Sequence, residues 1–342
     1  MYKILFFIIT IFISSNLLGS SLKSDEHVMF MPDIAYLNED NELIANVQAW
    51  VYEKERRPGF TTLLAKYMNV DKSKLNDDEY ERLYQKSALF RVDSENNKEF
   101  KIKFENNQIF DMPTTQNGGR STLIANIKTD IVDIYKNNKI TFSVYNSGNP
   151  ATADIGVSYF YLPHGISVIS DIDDTIKDSN VLDKKELLKN TFLYEFKAIN
   201  IMNELFWNIN HENNSSVAFH YVSSSPIQLY PAIKEFLENN NFPQGSVHLR
   251  EMTGWDNILF AQSKEHKLNS IEKILKAYPK RKFILVGDSG ESDPEIYSQI
   301  STKYKEQIIN VLIRNVTNED KSSQRYNELF GGFNEDFLQI ID

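Results

Sequence analysis

The 342-residue chain contains no cysteine. That excludes thiol nucleophiles, thiolate-held metals, disulfides and acylation at a lipoprotein cysteine. Glycine and proline are sparse, at 13 and 10 residues, which excludes a low-complexity or collagen-like chain. Nor is there a long basic run to offset the net charge of −10. Nucleic acid is therefore excluded as a partner, and so is a purely electrostatic hold on an anionic membrane. Seven basic residues do gather at Lys264, Lys267, Lys273, Lys276, Lys280, Arg281 and Lys282. Their plain reading is a solvated helix face and turn. What remains is a globular composition, 41% apolar and 25% charged, long enough for two ordinary domains.

The N-terminus opens with Met1-Tyr2-Lys3 and an apolar run from Ile4 to Ile13 that only Thr10 interrupts. The run is too short to span a bilayer, which takes roughly 20 residues. It suits a secretory signal peptide over residues 1–21, with Gly19-Ser20-Ser21 as a small-x-small cleavage site. The alternative is an uncleaved anchor. Either way the expectation is export, to a periplasmic, secreted or membrane-associated location.

Residues 27–162 read as a β-rich N-terminal domain. Alternation runs through Leu43–Tyr52, Phe100–Phe104, Leu123–Ile127 and Ile140–Tyr145, with turn clusters such as Asn117-Gly118-Gly119 between them. Regular strand spacing predicts a small sandwich. A charged stretch over residues 61–86 has helical spacing and reads as an insertion of one or two helices. No titratable constellation stands out here, so a binding or packing module of unknown partner is the default.

From residue 165 to 342 the grammar changes. Ile166–Ser170, Val217–Val222, Ser246–Leu249, Lys282–Gly287 and Ile308–Ile313 are short buried strands. Helical periodicity lies between them at Phe196–Ile209, Leu229–Asn239 and Leu268–Ala277. Apolar strands alternating with amphipathic helices predict an α/β fold: a parallel sheet with helices on both faces. Ligands bind such sheets beyond the strand C-termini, where Asp171, Ser223 and Asp288 all fall.

Asp171 and Asp173 sit two apart, so in extended backbone they point the same way. Two like charges that close need a cation or a proton between them, and a hard divalent ion such as Mg²⁺ is the economical answer. Asp288 and Asp293 add carboxylates at a neighbouring strand end, and Lys267 could bring a compact positive charge to a phosphoryl oxygen. Ser223 offers a hydroxyl at its own strand end. Each feature alone is commonplace: a turn, a cap, a surface lysine. Their shared placement in one sheet carries the reading.

That order resembles the haloacid dehalogenase-like phosphatases: Asp171-x-Asp173-x-Thr175 looks like the first motif, Ser223 the second, Lys267 the third, and Gly287-Asp288 with Asp293 the fourth. The run Val168–Lys177 is also similar to the catalytic domain of actin-patch-protein-type phosphatidate phosphatases, relatives of the lipins. So are Asn190-Thr191-Phe192, His220–Pro226, Gln228–Pro231, Phe242–Arg250 and Val286–Tyr297. Asn200-Ile201-Met202 departs from the pattern, which has glycine before the methionine. The resemblance implies an aspartyl-phosphate mechanism, with Asp171 as nucleophile, Asp173 as general acid and base, and Ser223 and Lys267 holding phosphoryl oxygens. It also implies Mg²⁺ held by Asp171, the backbone carbonyl of Asp173, and Asp288. Asp293 would orient Lys267 or a metal-bound water, Thr175 and Asp174 would shape the turn after the nucleophile, and Arg250 has no firm role.

About 40 residues follow Thr175 before the next buried strand, enough for a flap and one helix but not for a separate cap domain; the stretch from Ser223 to Lys267 is similar. The site is therefore expected to be open, which suits a phosphate displayed on a membrane surface. The expected reaction is release of phosphate from phosphatidate to give diacylglycerol. Three rivals remain: a phosphatase for soluble or protein phosphomonoesters, a non-catalytic phosphatidate-binding module, and a structural calcium site.

Overall fold

A computed structural model describes residues 19–55, 59–128, 138–251 and 264–342. The apolar N-terminal run lies outside the described residues. Of the segment read as a signal peptide, Ser20–Ser21 are described and pair in parallel with Lys98–Glu99.

The β-rich part consists of β1 (Glu26–Met31), β2 (Asp33–Leu37), β3 (Leu43–Glu53), β4 (Lys101–Phe104), β5 (Ile109–Asp111), β6 (Arg120–Ile127), β7 (Lys139–Tyr145) and β8 (Gly156–Phe160). With Asp93–Ser94 and Thr152–Ala153 they form one ten-stranded sheet, not the two separate sheets of a sandwich. The reason lies in β3. One edge of this 11-residue strand pairs with β6 and Asp93–Ser94, the other with β1 and β2 in succession. Pro32 falls between β1 and β2 and has no N–H for a ladder, so one strand becomes two. The insertion supplies α1 (Phe60–Tyr67) and α2 (Asp77–Lys86). The start of α2 is fixed by a capping box between Asn76 and Glu79.

The following part is α/β. Its elements are β9 (Ile166–Ser170), α3 (Lys184–Phe192), α4 (Asn200–Glu212), β10 (Ala218–Pro226), α5 (Tyr230–Asn239), β11 (Ser246–Arg250) and α6 (Lys264–Ala277). Then come β12 (Lys282–Asp288), α7 (Asp293–Lys303), β13 (Ile308–Arg314), α8 (Gln324–Phe330) and β14 (Leu338–Ile341). The strands form a six-stranded sheet in the order β11-β10-β9-β12-β13-β14, parallel throughout. The chain therefore winds outward from β9 to one edge and then returns to the other side. The crevice where that order reverses, between β9 and β12, is the place such a sheet binds ligands. Helices cover both faces. Val168 of β9 packs in one core with residues of α3, α4 and α5, and its neighbour Ile169 packs in another with residues of α6, α7 and α8.

The two parts share their interior. Met29, Trp50, Tyr52, Phe60 and Leu64 belong to the same apolar cluster as Val168, Phe192 and Phe219. At the edge of the parallel sheet, Val247 N–H donates to Pro32 O at 3.0 Å, which covers part of an open strand edge. Asp33, with 0% exposure, meets Lys273 Nζ at 2.6 Å and Gln48 Nε2 at 2.5 Å. Burial alone would raise its pKa, but the charge of Lys273 and the hydrogen bonds from Lys273 and Gln48 hold it below the usual value. Arg281 donates to the carbonyls of Leu162, His164 and Ile166 and to Ser167 Oγ, binding the connecting segment. The basic stretch is thus only partly a solvated face, because Lys267 and Arg281 are buried and Lys273 is paired.

Candidate active site

Residues 171–199 between β9 and α4 form the first wall of the crevice. Asp174 turns the chain sharply, with φ +53°, and its carboxylate accepts the N–H groups of Ser179, Asn180 and Val181. Aspartate tolerates this left-handed conformation better than most side chains and satisfies turn amides at the same time. The segment closes on itself where Lys177–Asp178 pair antiparallel with Lys197–Ala198. The result is a flap carrying one helix, α3.

Asp171 emerges at the end of β9, 1% exposed. Thr175 Oγ1 donates to its Oδ2 at 3.1 Å, and Lys267 Nζ lies 2.7 Å from its Oδ1. The same ammonium meets Asp293 at 2.6 Å and Glu291 at 2.9 Å. Asp293 also accepts the N–H of Asp288 at 3.3 Å. It can do so because α7 begins at Asp293-Pro294, where proline suits the first turn and the acidic side chain suits the positive end of the helix.

Asp171, Asp288 and Glu291 bring carboxylate oxygens within 4.8 Å of one another. Burial drives the Asp171 and Asp288 carboxyls well above their ordinary range. Lys267 opposes this, and the neighbouring carboxylates add to it. Asp288 Oδ1 is occupied by the N–H groups of Gly290 and Glu291, while its Oδ2 has no hydrogen-bond partner among the described residues. Four carboxylates around one ammonium leave an excess of negative charge in a desolvated place. The donor set, all carboxylate oxygen, fits a hard divalent cation such as Mg²⁺.

Asp173 has a set of partners of its own. Its carboxylate contacts Lys177 Nζ at 2.7 Å and accepts hydroxyl hydrogen bonds from Ser179 at 2.8 Å, Ser225 at 2.7 Å and Ser223 at 3.3 Å. Burial would raise its pKa, but the Lys177 charge and these donors bring it down to about 2. Glu291 is the third carboxylate of the crevice, beside Asp171 and Asp288. Ser223 ends the regular part of β10 and is 1% exposed; its Oγ also accepts the N–H of Ser225. Arg250 donates to Ser224 O, which places it behind this turn. Asp171, Asp173, Ser223, Lys267 and Asp288 are all buried.

Glu291, Lys177 and Ser225 were assigned no role from the sequence. Glu291 lies three residues after Asp288 and Lys177 four after Asp173, so acidic or basic residues close to a motif were the available signal. Ser225 had none beyond its place in a serine run.

Residues 166–315 match the family model for the phosphatidate phosphatase APP1 catalytic domain. The chain is similar to phosphatidate phosphatase APP1 of Saccharomyces cerevisiae, 33% identical over 198 residues, which cover 57% of this chain and 33% of that protein. It is also similar to an uncharacterized protein of Schizosaccharomyces pombe, 32% identical over 158 residues, covering 46% of this chain and 26% of the other. The chain thus spans about a third or less of each relative's length. The site residues all lie on elements that the match includes, and residues 166–315 are thus similar to the catalytic domain of phosphatidate phosphatase APP1.

Proposed function

We propose that this protein is a Mg²⁺-dependent phosphatidate phosphatase that works through a phosphorylated Asp171. The observation that carries the reading is a buried carboxylate at the switch point of the sheet, 2.7 Å from Lys267 and within 4.8 Å of Asp288 and Glu291. The family match supports phosphatidate as substrate. The strand order and the flap after β9 suit a haloacid dehalogenase-like fold.

Asp171 attacks phosphorus, forming an acyl-phosphate bond as the bond to the glycerol oxygen breaks. The leaving alkoxide takes a proton from the Asp173–Lys177 pair, and diacylglycerol departs. Water then loses a proton to the same pair, attacks phosphorus and releases inorganic phosphate, restoring Asp171. The ionised Asp173 suits this second half. Lys267 holds the charge of the nucleophile, and the hydroxyls of Ser223 and Ser225 face the carboxylate that exchanges the proton. Asp171, Asp288 and Glu291 would hold Mg²⁺, whose positive charge lets one anion approach another. Action at a membrane surface, and export directed by the apolar N-terminal run, belong to the same reading.

The test is phosphate release from phosphatidate in detergent micelles, with and without Mg²⁺, for wild type, Asp171→Asn and Asp173→Asn. Metal-dependent release lost in both variants supports the reading. Cleavage of an aryl phosphate alone would keep the chemistry and overturn the lipid substrate.

A further inference from the structure

We propose that the helical insertion of the β-rich part is a working component of the active site: Arg82 and Lys86 of α2 are positioning residues that hold the flap and, through Phe196, hold Lys177 against Asp173. This rests on the reading of Asp173 as the proton-exchanging group. The insertion lies wholly outside the matched segment 166–315.

The grip is specific. Arg82 Nε donates to Leu193 O at 2.7 Å, and Lys86 Nζ donates to Tyr194 O at 2.6 Å. Those carbonyls lie just past the last residue of α3, where a helix leaves acceptors unsatisfied and carries partial negative charge. Two cations from a distant helix therefore cap α3. Arg82 also lies 3.6 Å from Glu195. Aromatic contact supports the hold, with Phe60 stacked on Phe90 and Phe90 edge-on to Phe192 of α3, each at 5.6 Å.

From there the chain of contacts leads to the chemistry. Lys86 Nζ sits 3.7 Å from the centre of the Phe196 ring, and Lys177 Nζ sits 4.6 Å from the same centre. Phe196 is fixed in turn by Phe236, 6.0 Å away. Lys177 then reaches Asp173 at 2.7 Å and Ser179 Oγ at 2.5 Å. Burial, followed by the Lys177 and Arg82 charges, pulls the Lys86 ammonium down to about 7. Two ammonium groups on one ring repel, so something must hold them there. The carbonyl of Tyr194 holds one and the carboxylate of Asp173 holds the other. Removing Lys86 takes away the grip on Tyr194 O, so the flap main chain that carries Lys177 loosens and Lys177 shifts against Asp173; misplacing a reacting group by about 1 Å costs on the order of a hundredfold in rate.

The test compares the full chain with Lys86→Met, Arg82→Met and Lys86→Arg by amide hydrogen exchange and by kinetics on phosphatidate micelles. Methionine keeps bulk and length but cannot donate; arginine keeps the donor and the ring contact. The expected result is exchange about tenfold faster at residues 174–199 in both methionine variants, with β12 and β13 unchanged. Turnover should fall about tenfold or more at unchanged KM, and Lys86→Arg should restore both. Unchanged exchange in the flap overturns the proposal. So does a loosened flap with turnover intact, or a loss that arginine does not restore. Should wild type cleave neither phosphatidate nor an aryl phosphate, the phosphatase reading fails, and the exchange measurement still decides whether α2 holds the flap.

Discussion

Lys267 carries more negative charge than one ammonium can balance, and this sets the behaviour of the site residue by residue. Asp171→Asn removes one of four crowded carboxylates while keeping an oxygen for Thr175. It is expected to abolish turnover and yet raise stability by about 1–2 kcal/mol, as happens when a strained functional charge is relieved. Thermal melting against turnover checks this; a destabilised variant would contradict it. Glu291→Gln leaves the fold intact and weakens the divalent site. Mg²⁺ raises the melting temperature of wild type by mass action, and the rise is expected to shrink markedly in this variant; an equal rise would remove Glu291 from the ligand set. Asp171, Asp173, Ser223 and Asp288 stand out in the sequence because each lies at or just beyond the end of a buried strand, and Lys267 because it lies in the first turn of the helix before one. Glu291 and Lys177 had only their nearness to a motif as a signal, because their partners are chosen by how loops fold back.

At the scale of elements, the junction of β12 and α7 is the tightest device in the site. A Cβ on Gly287 would come within 2.5 Å of Asp293 Oδ2 and 2.7 Å of Tyr297 Cε2. Gly287→Ala therefore pushes the start of α7 away and takes Asp293 from Lys267. The expectation is a loss of about 1–3 kcal/mol of stability, as overpacking typically costs, with a larger fractional loss of turnover; chemical denaturation and steady-state kinetics measure the two. The five strands legible from the sequence are mostly those with runs rich in β-branched or apolar residues. β14 was missed because Leu338–Ile341 is a four-residue edge strand with no such run, and α3, α7 and α8 because their amphipathic signal is weak or begins inside a polar motif. The reading of two helices in the insertion said nothing of its partner, since Lys86 and Tyr194 are 108 residues apart in the chain. Periodicity reports which face of a helix is buried, and not against what.

Because the two parts share one apolar cluster, the whole molecule is expected to unfold as one unit. A chain starting at residue 163 would expose Val168, Phe192 and Phe219 where Met29, Trp50 and Phe60 now cover the same cluster. It is expected to be poorly soluble or to bind dyes for exposed apolar surface, and a well-folded fragment would refute the shared core. The seam also sets the acid limit. Burial pulls the His248 imidazole from its ordinary 6.5 to about 4, with Asp33 opposing and Lys273 and His266 adding to the effect. His220 beside it is lowered in the same direction. The native state keeps these rings neutral while the unfolded chain takes up protons, so stability falls as pH drops from about 6.5 towards 4. His248 alone contributes a loss of about 3 kcal/mol over that window. Melting midpoints between pH 7 and pH 4 measure it, and the slope is expected to flatten in His248→Gln.

The clamp made by Arg281 has a mechanical consequence. A tether between two independent bodies lengthens first when a chain is pulled, and each body then gives way separately. Here the tether is stitched at Leu162, His164 and Ile166 to a guanidinium fixed just ahead of β12, one of the sheet's two central strands. Pulled by optical tweezers at residues 19 and 342, the molecule should resist without an early compliant phase and rupture in a single rip.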